Sequence, residues 1–65
     1  MTSDDYRACI KSFGLTPCKP SFLGSTLHQS RDGLFHQVPD PEGYTDEERD
    51  ELIALVKLRI GIIDN

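Results

Sequence analysis

The chain has 65 residues, of which 37% are hydrophobic and 28% are charged, and its formal net charge is −4 at pH 7. No apolar run approaches the roughly 18 residues that a membrane-spanning helix needs, and the acidic start of the chain lacks the apolar stretch of a secretory signal. We therefore expect a cytoplasmic protein with a single small domain over residues 1–65 and no membrane association. Nucleic acid is a poor partner for this composition, because an acidic chain repels phosphates.

The first predicted element is a helix over residues 3–13. Thr2 or Ser3 can cap its start, and Gly14 stands where a left-handed residue commonly ends a helix. Apolar residues recur at steps of three and four and give the helix one apolar stripe, namely Tyr6, Cys9, Ile10 and Phe13.

An irregular, proline-rich loop is predicted over residues 16–24. Pro17 and Pro20 each fix a local turn and remove a backbone donor, so the segment does not read as one regular element. We expect Phe22 and Leu23 to enter the core from this loop, because they are its only large apolar residues.

Residues 25–38 have the pattern of an antiparallel β-hairpin. Asp32-Gly33 separates two runs suited to strands, and this dipeptide is a strong short-range hairpin signal. Gly33 should need a positive φ, so we expect Gly33→Val to destabilise the fold more than Gly43→Val.

Two registers of this hairpin are open. A two-residue turn pairs Arg31 with Leu34, whereas a three-residue loop pairs Ser30 with Leu34 and brings His28 opposite His36. A shift of one residue exchanges the two faces of the strand. We favour the three-residue loop, because the two residues after Ser30 suit a type I turn followed by a left-handed glycine.

A rigid connector over residues 39–44 leads to a second predicted helix over residues 45–60, which has the strongest sequence signals of the two. Thr45 and Glu48 have the spacing of a capping box. Gly61 can end this helix, although the two isoleucines after it could extend it by a turn.

The C-terminal helix carries more apolar surface than this short chain can cover. The apolar residues of segment 52–63 span an arc of roughly 220°, whereas a surface helix needs little more than about 100°. We expect a second copy to cover the arc in a homodimer, packed antiparallel so that Glu48 of each copy meets Arg59 of the other. The predicted interface consists of Glu48, Leu52, Leu55, Val56, Arg59, Ile60, Ile62 and Ile63. In the alternative, Ile62 and Ile63 fold back onto their own core.

The sequence contains no convergent catalytic group and no cofactor motif. His28 and His36 would need a third ligand to hold a metal, and we interpret them as ordinary strand residues. Cys9 lies on the apolar stripe and Cys18 in a loop, and we expect both to be free thiols because a cytoplasm is reducing. We therefore predict no enzyme, no cofactor and no metal site.

Acidic residues concentrate within twelve positions of the chain: Asp40, Glu42, Asp46, Glu47, Glu48, Asp50 and Glu51. They offer a surface to a partner protein with a basic patch. Three of them, Asp46, Glu47 and Glu48, also lie in the first turn of the helix, where negative charge compensates the helix dipole. Both interpretations stay open at the level of sequence.

The predicted fold class is α+β, in the order helix, proline-rich loop, two-stranded antiparallel hairpin, helix. The predicted function is a small, acidic, non-enzymatic protein-binding module that is homodimeric through its C-terminal helix. A phage- or mobile-element-type inhibitor of a host protein would fit this size and charge. The alternative is a small transcriptional regulator that binds DNA as a dimer through residues around Lys11, Lys19 and Arg31.

Overall fold

The computed structural model describes residues 1–61. In chain order it contains helix α1 (Ser3–Ser12), strands β1 (Thr16–Pro17), β2 (Ser25–Gln29) and β3 (Phe35–Pro39), and helix α2 (Asp46–Arg59). The α+β class is confirmed. The sheet, however, has three antiparallel strands in the order β1-β2-β3, not the two of the predicted hairpin.

The additional strand β1 comes from the start of the predicted irregular loop. Thr16 pairs with Gln29 and Pro17 with His28, and the Cys18 N–H donates to the Leu27 carbonyl at 2.8 Å. An isolated two-stranded hairpin is only marginally stable, so the extra pairing supports the sheet at the edge of β2.

Both helices begin where the capping signals place them. The Thr2 hydroxyl accepts from the Asp5 N–H at 3.1 Å, and the Thr45 hydroxyl accepts from the Glu48 N–H at 3.2 Å. In each box the acidic side chain accepts in return from the backbone N–H of the cap. The two caps therefore satisfy backbone donors that would otherwise lack partners.

The three-residue hairpin loop is confirmed. His28 lies opposite His36, and the Ser30 N–H donates to the Leu34 carbonyl at 2.9 Å. Gly33 has the expected positive φ of +88°, but Gly43 has the same φ, so the predicted ranking of the two valine substitutions loses its basis.

The core is assembled between the helices and one face of the sheet. Its buried members are Tyr6, Ile10, Leu15, Val38, Ile53 and Val56. Val38 is the buried residue of β3, whereas its neighbour Gln37 faces solvent, as the two-residue period of a strand requires.

The expectation that Phe22 and Leu23 enter the core is wrong. Their exposed fractions are 74% and 89%. Leu23 (φ +54°) and Gly24 (φ +77°) form the centre of a two-residue turn, closed by reciprocal backbone hydrogen bonds between Phe22 and Ser25. This tight turn carries both side chains out of the protein.

The first turns of the two helices lie side by side. The backbone nitrogen of Met1 donates to the Asp46 carbonyl at 3.0 Å, and Arg49 Nη1 donates to the Met1 carbonyl at 3.2 Å. At the other end, Phe13 and Ile60 line one shared hollow. Helices α1 and α2 therefore run in the same direction across the sheet.

Neither helix within residues 1–61 is long and apolar enough to cross a membrane.

Candidate protein-binding surface

Helix α2 has one side in the core and an apolar patch on the opposite side. Ile53 and Val56 are buried, whereas Leu55 is 57% and Leu58 is 77% exposed. At about 100° per residue, the two leucines lie well over 100° from the middle of the buried side. The described part of the apolar arc is therefore divided between an internal face and a surface that residues 1–61 leave exposed.

The predicted interface residues fall on different parts of this helix. Val56 is buried within its own chain and so belongs to the core, not to the open patch. Leu52 and Ile60 are partly buried against the core, while Leu55, Glu48 and Arg59 are exposed. Ile62 and Ile63 lie outside the described residues.

Exposed apolar residues are numerous for so small a core. Within residues 1–61, six hydrophobic side chains are buried and seven large ones are exposed. The exposed ones are Phe22, Leu23, Leu34, Phe35, Tyr44, Leu55 and Leu58. Exposed apolar residues that lie together indicate an interaction site more often than isolated ones do. Leu55 and Leu58 are such a pair, since they lie one helical turn apart on α2.

Most of the acidic cluster has partners within the chain. Glu42 pairs with Arg7, Asp46 with Arg49, and Asp50 with the nitrogen of Met1. Glu48 completes the cap of α2. Among residues 1–61, Glu47 and Glu51 make no ion pair and are the acids of this cluster left for a basic partner.

Asp40 has a structural role that the sequence did not indicate. Its carboxylate accepts from the Thr26 hydroxyl at 2.7 Å and from the Ser21 hydroxyl, and its N–H donates to the Gly24 carbonyl at 2.9 Å. These three bonds hold both sides of the turn that carries Phe22. Because the partners lie 14 to 19 residues away, no local pattern could have identified them.

A groove of about 690 Å³ lies between α1 and the sheet. Its floor includes the buried ring of Tyr6, whose hydroxyl donates to the Pro39 carbonyl at 2.5 Å. Burial, with smaller effects of the nearby Asp40 and Tyr44, raises the pKa of Tyr6 to about 12. The neutral phenol is thus part of the native packing.

The histidines and cysteines do not form a common site. His28 lies opposite His36, and its Nδ1 is 2.9 Å from the Thr26 carbonyl. Cys9 is a half-buried free thiol that packs against the core, and Cys18 is an exposed one. No group of three His, Cys, Asp or Glu side chains suited to a metal occurs in the part of the chain that the structure describes.

No family model, no curated protein and no solved structure matches this chain. The exposed apolar patch of α2 and the charges beside it are therefore the best guide to function.

Proposed function

We propose that this protein is a small, non-enzymatic protein-binding module that forms a homodimer through α2. The observation that supports this proposal is the pair of exposed leucines, Leu55 and Leu58, on the side of α2 opposite the core. Full burial of a leucine is worth about 1.5–3 kcal/mol, and a two-fold axis buries each residue twice. Such a patch can supply much of the affinity of a small dimer.

The proposed dimer is antiparallel about a two-fold axis on the exposed side of α2, level with Ile53 and Ala54 along the helix. This axis sets Leu52 of one copy against Leu55 of the other. Glu48 then meets Arg59 at each margin, in an exposed pair worth only about 0–1 kcal/mol, so the charges fix direction more than they add affinity. Both side chains are exposed in the single chain and can reach a second copy.

The test compares two leucines that are almost equally exposed. Leu55 on α2 is 57% exposed and Leu34 beside the hairpin turn is 59% exposed. We expect Leu55→Asp to convert the dimer to a monomer in size-exclusion chromatography with light scattering, because it places a carboxylate at the centre of the contact. Leu34→Asp should leave the dimer intact. Equal effects of the two substitutions would contradict an interface on α2.

A different protein would bind this dimer through the acidic residues of α2. Glu47 and Glu51 are exposed acids on α2 that suit a basic patch on another protein. DNA binding through Lys11, Lys19 and Arg31 is the competing proposal. It requires an affinity for duplex DNA that falls steeply with salt, and fluorescence anisotropy at low and physiological salt measures this directly.

A further inference from the structure

Strand β3 has one paired edge and one open edge. In an antiparallel ladder, every second residue pair is hydrogen-bonded. The bonds from the Ser30 N–H to the Leu34 carbonyl and from the Asp40 N–H to the Gly24 carbonyl show which pairs of β2 and β3 these are. His36 and Val38 therefore direct their backbone groups toward β2. Phe35 and Gln37 direct theirs away from it, toward the edge where the described sheet has no further strand.

The opposite edge of the sheet is closed to pairing. Strand β1 is two residues long and contains Pro17, and proline and short length are common ways to block an edge strand. On β3 the open stretch is short but accessible, since Phe35 is 60% exposed and Gln37 is also exposed. It stops at Pro39, which has no N–H and whose carbonyl is occupied by the Tyr6 hydroxyl.

Positive charge lies beside this open edge. His36, which stands between the two outward residues, lines a hollow of about 330 Å³ together with Arg31 and Arg59. Neither arginine forms an ion pair with any residue from 1 to 61. Asp32 also borders the hollow, but its carboxylate accepts hydrogen bonds from the Ser30 hydroxyl and the Leu34 N–H. Two guanidinium groups face this one carboxylate, so the hollow is a basic site on an acidic protein.

A second copy of β3 is a poor occupant of the edge. Two copies of β3 can pair both Phe35 and Gln37 only in the antiparallel register that has His36 on the two-fold axis. Every other register places Pro39 or the hairpin turn opposite one of these two residues. That register brings the hollows of the two copies together, so the guanidinium groups of Arg31 and Arg59 would repel those of the other copy.

We propose that the open edge of β3 binds an extended acidic–apolar segment of a partner protein as an added antiparallel strand. Its backbone would pair with Phe35 and Gln37, as in other cases of strand addition. Its central residue would stand opposite His36 in a non-hydrogen-bonded pair, where side chains approach most closely. An acid at that position faces the basic hollow, and the apolar residues on either side of it lie on the outer face, one opposite Phe35 and one opposite Gln37.

The backbone pairing at β3 uses no residue of the α2 contact, so either proposal can fail alone, although the hollow and that contact meet at Arg59 and Ile60. Arg59 borders both sites, and its guanidinium has five donors, enough for a carboxylate in the hollow and for Glu48 of a second copy.

The probe is the blocked peptide Thr-Val-Glu-Phe-Thr, titrated into the full chain and followed by the amide signals of the protein in NMR. We expect the N–H groups of Phe35 and Gln37 to shift and to gain protection from hydrogen exchange. Replacing the central Glu by Lys should weaken binding about fivefold, the upper value for an exposed charge pair. Methylation of the backbone nitrogens of Val and Phe in the peptide removes the two N–H groups that would pair with β3. It should therefore abolish binding without any change to the protein.

Two protein variants complete the test. Gln37→Pro removes an outward N–H that the native sheet does not use, and proline is tolerated at such edge positions. It should abolish peptide binding, whereas Gln37→Ala keeps the N–H and should bind normally. Equal affinity for the Glu and Lys peptides, or unchanged binding by Gln37→Pro, would overturn the proposal. So would protected Phe35 and Gln37 amides without peptide, because a second copy would then occupy the edge.

Discussion

Removal of the Tyr6 hydroxyl should give a stability change that reverses sign with pH. Tyr6 is buried and donates its only hydroxyl proton to the Pro39 carbonyl at 2.5 Å. Tyr6→Phe keeps the ring in the core and removes this bond, so we expect a loss of about 1 kcal/mol at pH 7.

The raised pKa of Tyr6 determines how this difference changes with pH. The folded protein holds the phenol proton up to about pH 12, whereas the unfolded chain releases it near the ordinary value of 10. The stabilisation is therefore complete below pH 10 and is lost as the pH rises to 12. The difference of 2 in pKa corresponds to about 2–3 kcal/mol. The phenylalanine variant lacks the titrating hydroxyl, so it should become the more stable protein at about pH 11.

Urea denaturation of both proteins from pH 8 to pH 12 measures this crossover. Subtracting one profile from the other cancels the titration of lysines and other groups that the two proteins share. Tyr44→Phe is the matched control, because Tyr44 is partly exposed. Tyr44 is the smallest of the three causes that raise the pKa of Tyr6, so the profile should keep most of the alkaline loss of the wild type. A difference between wild type and Tyr6→Phe that stays constant with pH would refute the reasoning.

Two further predictions concern residues with positive φ. Leu23 has φ +54° in a tight turn, and asparagine adopts this conformation more readily, so Leu23→Asn should raise the free energy of unfolding by about 1 kcal/mol. An unchanged or lower melting temperature would count against strain at this residue. Gly33→Val and Gly43→Val should each lower the free energy of unfolding by about 1–2 kcal/mol, because both glycines have φ +88°. A Cβ at either position would have no neighbour within 4 Å, so the backbone conformation alone accounts for the loss. A clearly larger loss for one of them in urea denaturation would show that its turn contributes more than φ alone.

Local signals were enough to predict the main elements of the fold. The capping box at Thr45 and the capping residues at Thr2 or Ser3 marked both helix starts, because capping bonds join residues only three positions apart. The hairpin turn at Asp32-Gly33 was predictable for the same reason, since turn geometry depends on a few consecutive residues. Its register was left open between two turns, and the structure has the favoured three-residue loop.

Contacts between distant segments were not predictable in the same way. Strand β1 is two residues long and includes Pro17, so no alternation marks it, and it exists because β2 offers an edge. The outward position of Leu23 depends on the bonds that Asp40 makes to both sides of its turn. For the binding surface, the sequence indicated an excess of apolar residues on α2, but only packing showed that Val56 belongs to the core and Leu55 to the surface.

Sedimentation equilibrium of the wild-type protein tests the α2 dimer most directly. The chain has a mass of 7.3 kDa. At tens of micromolar, which corresponds to an association free energy of roughly −6 to −7 kcal/mol, we expect a species of twice that mass. A single 7.3 kDa species across this concentration range would contradict the homodimer and would leave the exposed leucines of α2 to a foreign partner.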